Sequence, residues 1–328
     1  MDRRTLIGAG MAGLALPRTA LAQTQAYAGP PHEPGFLPGD SQEFIALWPG
    51  TPPGGAGIHM DLKVTDTVQP DGFHVRAVSQ IQTPGFFVYR PVKPTGLAML
   101  VIPGGGYASE GGDRGGREIA QYFASKGIIS FVLRYRLPGE GWKQRDLAPL
   151  QDAQRAMRLI RAGEYGAQKL GVIGFSAGGH LSASLALRHG MLTYGKISAA
   201  DNIDPRPFVA AHMYPVITMG PGAHAGSRDK LLGENPSAEA IANWSLERHV
   251  GADAAPSFVA LAADDDVVPP APNGIAFYRK LQEAKIASQM HVFEAGGHGF
   301  SLHWAQGKPC AAWPDLFLSW AGTHGFKV

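Results

Sequence analysis

The sequence predicts an α/β protein with a mostly parallel, eight-stranded sheet that carries helices on both faces. Short apolar runs, such as residues 97–102 and 170–175, are typical of parallel strands buried on both faces. Helical patterns separate the later runs along the chain. This alternation indicates parallel strands that are joined by crossover helices.

The candidate elements follow in chain order. Strands are predicted at residues 60–68, 73–81, 86–90, 97–102, 128–134, 170–175, 208–216, 257–262 and 288–294. Helices are predicted at residues 116–126, 149–162, 176–189, 270–285 and 313–323. The first strands have no helices between them, which predicts an antiparallel edge of the sheet. The segment 219–248 is rich in Gly, His and Asn; we expect it to form part of a pocket rim, because it is too short for a large lid or cap domain.

The amino terminus has the pattern of a cleavable export signal. Arg3 and Arg4 precede an apolar stretch at residues 6–16, and Ala-Leu-Ala at 20–22 matches the site that signal peptidase recognises. The arginine pair resembles a twin-arginine signal, and a general secretory signal is the competing interpretation. A cytosolic protein with an apolar first helix is the remaining alternative. We predict export to the periplasm or the extracellular space.

Length and composition favour one catalytic domain. The 328 residues, 45% of them hydrophobic, are enough for a large core. We predict a signal peptide at 1–22, an extended segment at 23–58 and the catalytic domain at 59–328. Without the signal the chain loses three arginines and one aspartate, and its formal charge falls from +2 to 0. A neutral chain is a poor partner for nucleic acid.

Cysteine and metal-ligand patterns are sparse in this sequence. Cys310 is the single cysteine, so no intrachain disulfide can form. No metal-binding motif is present, and we expect no cofactor and no metal. We also expect no membrane association once the signal is removed. The sequence leaves the oligomeric state open.

Residues 172–180 form the most informative segment. An apolar run enters it, the pattern G-x-S-x-G occupies 174–178, and a helical pattern of small residues follows. This combination predicts a nucleophile elbow, a sharp strand-to-helix turn that exposes the Oγ atom of Ser176. A glycine pair in an unrelated loop explains the pentapeptide but not the strand and helix around it. Ser176 is therefore the predicted nucleophile of a hydrolase.

A second glycine-rich stretch, at residues 103–107, follows an apolar run. Three consecutive glycines expose backbone N–H groups, which in esterases stabilise the oxyanion together with the N–H after the nucleophile. The predicted donors are those of Gly105, Gly106 and Ala177. A flexible loop or a phosphate cradle is the alternative, but a phosphate loop needs a lysine and a hydroxyl residue after the glycines.

A base and an acid are expected downstream of the serine, in the order Ser, Asp, His of α/β hydrolases. His298 lies among glycines beyond the last predicted strand, where the chain returns to the carboxyl edge of the sheet. Three adjacent aspartates, Asp264, Asp265 and Asp266, follow the strand before it. The residues alone leave the choice among these three open.

The chain resembles the acetyl-xylan esterase and related carbohydrate acetyl or feruloyl esterase branch of the α/β hydrolases. The matching segments are residues 47–50, 103–107, 133–138, 149–156, 174–180, 214–216, 231–236, 264–269 and 296–300. The resemblance implies an α/β-hydrolase fold without a large cap domain and an acetylated plant polysaccharide or oligosaccharide as substrate. It also favours Asp265 as the acid, because related hydrolases have the pattern D-x-x-V-P, and only Asp265 stands at the right distance from Val268 and Pro269.

Other side chains near these motifs are candidates for substrate binding or support. Tyr107 and Trp142 are predicted to stack on a sugar ring, although packing is the common role of such aromatics. His180, one helical turn after Ser176, is predicted to support the elbow or to contact substrate. Asp152, near a helix start, is expected to cap the helix or to brace a loop.

The predicted function is that of a serine esterase acting on xylan-type acetyl esters by a Ser-His-Asp acyl-enzyme mechanism. Three alternatives stay open. They are a feruloyl or general short-chain carboxylesterase, a peptidase of the prolyl oligopeptidase type and a catalytically silent carbohydrate-binding protein. The peptidase interpretation is disfavoured because such enzymes usually carry a large additional domain.

Overall fold

A computed structural model describes residues 37–328. Its strands are β1 Phe44–Ala46, β2 Lys63–Val68, β3 His74–Ser79, β4 Gly85–Tyr89, β5 Leu97–Ile102, β6 Glu110–Gly111, β7 Ile129–Arg134, β8 Lys169–Phe175, β9 Ala210–Met213, β10 Ser257–Ala262 and β11 Ser288–Phe293. Its α-helices are α1 Glu118–Ser125, α2 Ala148–Ala162, α3 Ala177–Arg188, α4 Ala225–Leu232, α5 Ala238–Trp244, α6 Ala276–Glu283 and α7 Trp313–Thr323. The predicted signal peptide lies outside the described residues, as does the first part of the segment 23–58.

The main sheet has eight strands in the order β1-β4-β7-β5-β8-β9-β10-β11. All neighbours from β7 to β11 pair in parallel, whereas β4 is antiparallel to both β1 and β7. This arrangement confirms the predicted fold class. The sheet has an antiparallel edge, as predicted, but of the early strands from which it was predicted only the one at 86–90 contributes to it, as β4. Between residues 37 and 328 no large cap domain covers the sheet.

Helices pack on both faces of this sheet because the buried strands alternate their side chains between two cores. In β5, Met99 and Val101 join a core that includes Phe123 of α1 and Phe317 of α7. Leu100 and its alternate neighbours join the opposite core, to which α2 and α3 contribute. Helix α6 packs on that second side against β10. The two-sided burial explains why these strands have near-continuous apolar sequences.

The strands predicted at 60–68 and 73–81 do not join the main sheet. They form a separate three-stranded sheet, in the order β2-β3-β6, which is antiparallel throughout. Strand β2 is largely exposed, whereas the inner strands of the main sheet, such as β5, are buried throughout. The edge of the main sheet is instead β1, a three-residue strand that the sequence analysis did not identify.

The carboxyl ends of the parallel strands meet at one edge of the main sheet. Strand β8 ends directly before Ser176, β10 ends before the three aspartates, and β11 ends a few residues before His298. Ligand sites of open α/β sheets lie at this edge. Among the residues that the structure describes, no helix is long and apolar enough to cross a bilayer.

Candidate active site

Ser176 lies at a sharp turn between β8 and α3. Its backbone angles, φ 57° and ψ −118°, are sparsely populated, so the turn is strained. A Cβ atom added at Gly174 would lie 2.0 Å from the carbonyl oxygen of Gly178, and one added at Gly178 would lie 2.3 Å from that of Ile102. Only glycine fits these two positions. The G-x-S-x-G pattern is therefore a packing requirement of the turn that presents the serine hydroxyl.

The structure brings Ser176, His298 and Asp265 together in one hydrogen-bonded chain. The Nε2 atom of His298 lies 2.8 Å from the Oγ atom of Ser176, and its Nδ1 atom lies 2.8 Å from the carboxylate of Asp265. The other carboxylate oxygen of Asp265 accepts the N–H groups of Val267, at 3.0 Å, and Val268, at 2.8 Å. The side chain of Asp265 is 1% exposed and that of His298 is 13% exposed. The carboxylate is thus fixed and dry, while the imidazole keeps access to solvent.

Tyr214, at the end of β9, packs against the imidazole. Its ring meets that of His298 edge-on, with centroids 5.1 Å apart, and it meets Phe300 in the same way. Tyr214 has φ 35°, which ends the strand earlier than the sequence predicted. The packing restricts the orientation of the imidazole.

Two further carboxylates hold the loop that carries the imidazole. Asp264 accepts the N–H groups of Gly296, at 2.9 Å, and Gly297, at 2.8 Å. The hydrogen bond from Gly297 is the main cause that lowers the pKa of Asp264. Glu118 of α1 accepts the N–H of His303 at 2.9 Å, on the other side of the loop. Asp264 is therefore a loop anchor, a role that the sequence analysis did not foresee; Asp266 is exposed to solvent.

The glycine stretch lies against the serine turn. A Cβ atom at Gly104 would lie 3.0 Å from that of Ser176, and one at Gly105 would lie 2.1 Å from the carbonyl oxygen of Ser109. Gly105 and Gly106 both have positive φ, 130° and 64°. Within residues 37–328, the N–H groups of these two glycines donate no hydrogen bond.

The N–H of Ala177 belongs to the first residue of α3, where a helix leaves its N–H groups without intrahelical acceptors. In the described part of the chain, the N–H groups of the three predicted oxyanion donors are thus not used in hydrogen bonds of the fold.

The structure does not place the three predicted substrate-binding side chains at an accessible surface. Tyr107 is 1% exposed, Trp142 is 4% exposed and His180 is fully buried. The hydroxyl of Tyr107 lies 2.8 Å from Nδ1 of His180, whose Nε2 lies 3.0 Å from the carbonyl oxygen of Trp244. Burial lowers the pKa of His180 to about 4, so it is neutral and donates from Nε2. Support and packing, which the sequence left open, fit this burial.

Asp152 braces a neighbouring segment. Its carboxylate accepts from the indole Nε1 of Trp48, at 2.8 Å, and from the backbone N–H and guanidinium of Arg136, at 2.9 Å and 2.8 Å. The guanidinium also lies over the rings of Trp48 and Trp142. We call Trp48, Arg136 and Asp152 the buried ion cluster. Three separate matching segments of the sequence meet in it.

His224 was not identified from the sequence, although it lies in the predicted rim segment. It is the N-cap of α4, and its Nδ1 accepts the N–H of Ser227 at 3.2 Å. A Cβ atom at Gly106 would lie 3.7 Å from its Cε1 atom. No local signal marked it, because histidine is not among the preferred N-cap residues. In the described part of the chain, no cluster of metal-ligating side chains is present.

The fold and the strained serine turn define an α/β hydrolase. The sequence profile of the prolyl oligopeptidase family matches residues 117–323. The chain belongs to that family.

Sequence and structural relatives refine this placement. The chain is similar to endo-1,4-β-xylanase B of Butyrivibrio fibrisolvens, with 36% identity over 68% of this chain. It is also similar to an acetylxylan esterase of Xylanibacter ruminicola, with 29% identity over 65% of this chain. The matches span 34% and 43% of those relatives, respectively. A solved acetyl ester-xyloside bifunctional hydrolase of Caldicellulosiruptor lactoaceticus has 28% identity and a TM-score of 0.70, covering 90% of this chain and 100% of the other. The resemblance to the acetyl-xylan esterase branch is confirmed.

Proposed function

We propose that the protein is a serine esterase that removes acetyl groups from xylan-type polysaccharide or its oligosaccharides. The observation that carries the proposal is the chain of two 2.8 Å contacts from Ser176 through His298 to Asp265. A serine is a weak nucleophile until a base takes its proton, and the adjacent imidazole is positioned to take it. The choice of xylan as substrate is supported by the similarity to the acetylxylan esterase and the acetyl ester-xyloside hydrolase described above.

The first half of the reaction transfers the acetyl group to the enzyme. The Oγ atom of Ser176 attacks the ester carbonyl carbon while Nε2 of His298 takes the hydroxyl proton. The carbonyl oxygen becomes an oxyanion, which the N–H groups of Gly105, Gly106 and Ala177 stabilise. The same imidazole then protonates the sugar oxygen, the C–O bond breaks, and the deacetylated sugar leaves. The serine now carries the acetyl group.

The second half regenerates the enzyme. Water attacks the acetyl carbon as Nε2 of His298 takes one of its protons, and that proton returns to Ser176 as acetate leaves. Asp265 accepts the Nδ1–H of His298 throughout, so it holds the tautomer that leaves Nε2 free to accept. It also stabilises the imidazolium in both halves.

A side-by-side release assay tests the proposal. Wild-type protein and Ser176→Ala are incubated with acetylated xylan, acetylated pectin and methyl ferulate. The proposal predicts acetate from xylan with wild type and none above background with the variant. Ferulate as the preferred product would favour a feruloyl esterase instead. Failure of wild type on all three substrates would remove the proposed substrate.

The family also contains peptidases, so a peptide substrate is the second candidate. It is supported by the match of residues 117–323 to the prolyl oligopeptidase family. A dipeptide naphthylamide separates the two activities. Its cleavage without acetate release from any ester would favour the peptidase, and the proposed esterase predicts the reverse.

Export is part of the proposal, because polymeric xylan lies outside the cell. The supporting pattern is the arginine pair, the apolar stretch and the Ala-Leu-Ala of residues 1–22. Amino-terminal sequencing of protein from the periplasm or culture medium should begin at Gln23. Full-length protein retained in the cytoplasm would contradict export.

A further inference from the structure

We propose that His224 is a substrate-binding residue that donates a hydrogen bond from Nε2 to the sugar on which the acetyl ester is carried. This inference rests on the proposed esterase function and adds to it a residue that recognises the alcohol side of the ester. The argument depends on the tautomer of His224, its position beside the glycine stretch and the acceptors that an acetylated sugar offers.

The contacts of His224 fix its tautomer. Nδ1 lies 3.2 Å from the backbone nitrogen of Ser227 and 2.8 Å from its hydroxyl oxygen. A backbone N–H can only donate, so Nδ1 accepts and carries no proton. In the neutral ring the proton is then on Nε2. Burial lowers the pKa of His224, which favours the neutral ring, while Asp265 acts in the opposite direction.

The Nε2–H is available to a ligand. Among residues 37–328 it donates no hydrogen bond, and the side chain is only partly buried. The ring lies beside the predicted oxyanion donors, since a Cβ atom at Gly106 would be 3.7 Å from Cε1 of His224. Asp265 and His298 are both close enough to influence the pKa of the ring. A free donor therefore stands at the edge of the site where the ester binds.

The chemistry of the substrate decides which atom this donor meets. Beyond its carbonyl, an acetyl group offers only a methyl, which accepts no hydrogen bond. The carbonyl oxygen already faces the N–H groups of Gly105, Gly106 and Ala177. The remaining acceptors of the ester belong to the sugar, which carries ring and hydroxyl oxygens around the acetylated position. The Nε2–H of His224 matches these oxygens.

His224 also caps α4, and the test must separate capping from binding. Serine is a preferred N-cap residue, so His224→Ser keeps the cap and removes the reach of the Nε2–H. Asn is preferred too, and His224→Asn is a second variant of the same kind. His224→Gln keeps an N–H donor at similar reach. Thermal unfolding of each variant shows whether the fold is retained.

The experiment compares two substrates. Wild type and the variants are assayed on acetylated xylo-oligosaccharides and on p-nitrophenyl acetate, which has no sugar oxygens. We expect His224→Ser and His224→Asn to raise KM on the sugar ester by roughly fivefold to tenfold, the size of one lost neutral hydrogen bond. On p-nitrophenyl acetate, kcat/KM should stay within about twofold. His224→Gln should recover much of the sugar KM.

Two results would overturn the inference. An equal loss on both substrates would place His224 at the oxyanion, and no loss on either would leave it as a helix cap alone. The proposed function is tested separately by the wild type. If wild type releases no acetate from the xylo-oligosaccharides, the esterase proposal fails, whereas wild-type release without a substrate difference in the variants removes only the role of His224.

Discussion

Two sites in this protein, the candidate active site and the buried ion cluster, pair an aspartate with a basic side chain. They differ in access to solvent. In the candidate active site the imidazole of His298 is 13% exposed, while Asp265 behind it is 1% exposed. In the buried ion cluster Arg136 and Asp152 are both 0% exposed. The first pair directs its Nε2 atom at the hydroxyl of Ser176, whereas every polar group of the second pair has its partner inside the protein.

The difference shows what a buried carboxylate does in each place. Asp265 orients an imidazole that must exchange protons, so its hydrogen bond to that ring contributes to catalysis. Asp152 receives an indole N–H, a backbone N–H and a guanidinium, and it joins three distant segments. Removing one partner there leaves a charge in a dry interior. Substitution of Asp265 should therefore lower activity, whereas substitution of Asp152 should lower stability.

The largest expected effect is on catalysis at the serine. Ser176→Ala removes the atom that attacks the ester, and kcat should fall by about 10⁴-fold to 10⁶-fold. Alanine fits the small volume of the turn, so the melting temperature should change little. Steady-state kinetics measure the fall in kcat, and thermal unfolding measures the melting temperature. Retention of a tenth or more of the activity would exclude Ser176 as the nucleophile.

The next largest effect is expected on kcat when the neighbouring aspartates, Asp264 and Asp265, are substituted. Asp265→Asn should lower kcat by about 10⁴-fold, because the amide stabilises the wrong imidazole tautomer. Asp264→Asn is the matched control one residue away. It weakens the anchoring of Gly296 and Gly297 and should cost far less than Asp265→Asn. The reverse ranking of kcat would show that the acid is Asp264.

Substitution in the buried ion cluster should lower the stability of the protein. Asp152→Asn leaves Arg136 without its counter-charge, and the free energy of unfolding should fall by about 3–5 kcal/mol. Activity per folded molecule should stay within about twofold. Glu43→Gln is the control, since it breaks a similar pair with Arg90 at an exposed site and should cost under about 1 kcal/mol. Denaturant titration of both variants measures the difference; equal losses would contradict the role of burial.

The smallest effect concerns His180 and pH. Burial lowers its pKa from the ordinary 6.5 to about 4. Between these values the unfolded chain binds a proton that the folded chain does not, so stability is full above pH 6.5 and falls as the pH drops toward 4. His180→Gln should reduce this slope by on the order of 1 kcal/mol per pH unit. Denaturant unfolding at several pH values tests it. An unchanged slope would mean that His180 is protonated in the fold.

The main sheet was predictable because burial on both faces leaves a signal. Strands such as β5 and β8 are continuous apolar runs, and each overlaps its predicted position. Strands β1 and β6 have three and two residues, too few for any periodicity. Helix α4 combines glycine, charged residues and a short length, so its apolar face is narrow. The separate sheet of β2 and β3 was missed because pairing partners depend on tertiary contacts.

The site was predictable where backbone geometry restricts the residue type. Gly174 and Gly178 leave a readable pattern because any side chain would clash there. The anchoring role of Asp264 depends on a loop 32 residues away in sequence, and no local pattern reports it. The burial of Tyr107 likewise depends on residues distant in sequence, among them Tyr135 and His180. Contacts between residues so far apart in sequence leave no local pattern, so they become visible only in the three-dimensional structure.

The most direct test of the central claim is covalent labelling with a fluorophosphonate, followed by intact mass and peptide mapping. The account predicts one label per chain, on Ser176, with complete loss of esterase activity and no labelling of His298→Ala. Labelling of a different residue with equal loss of activity, or full activity after labelling of Ser176, would contradict it.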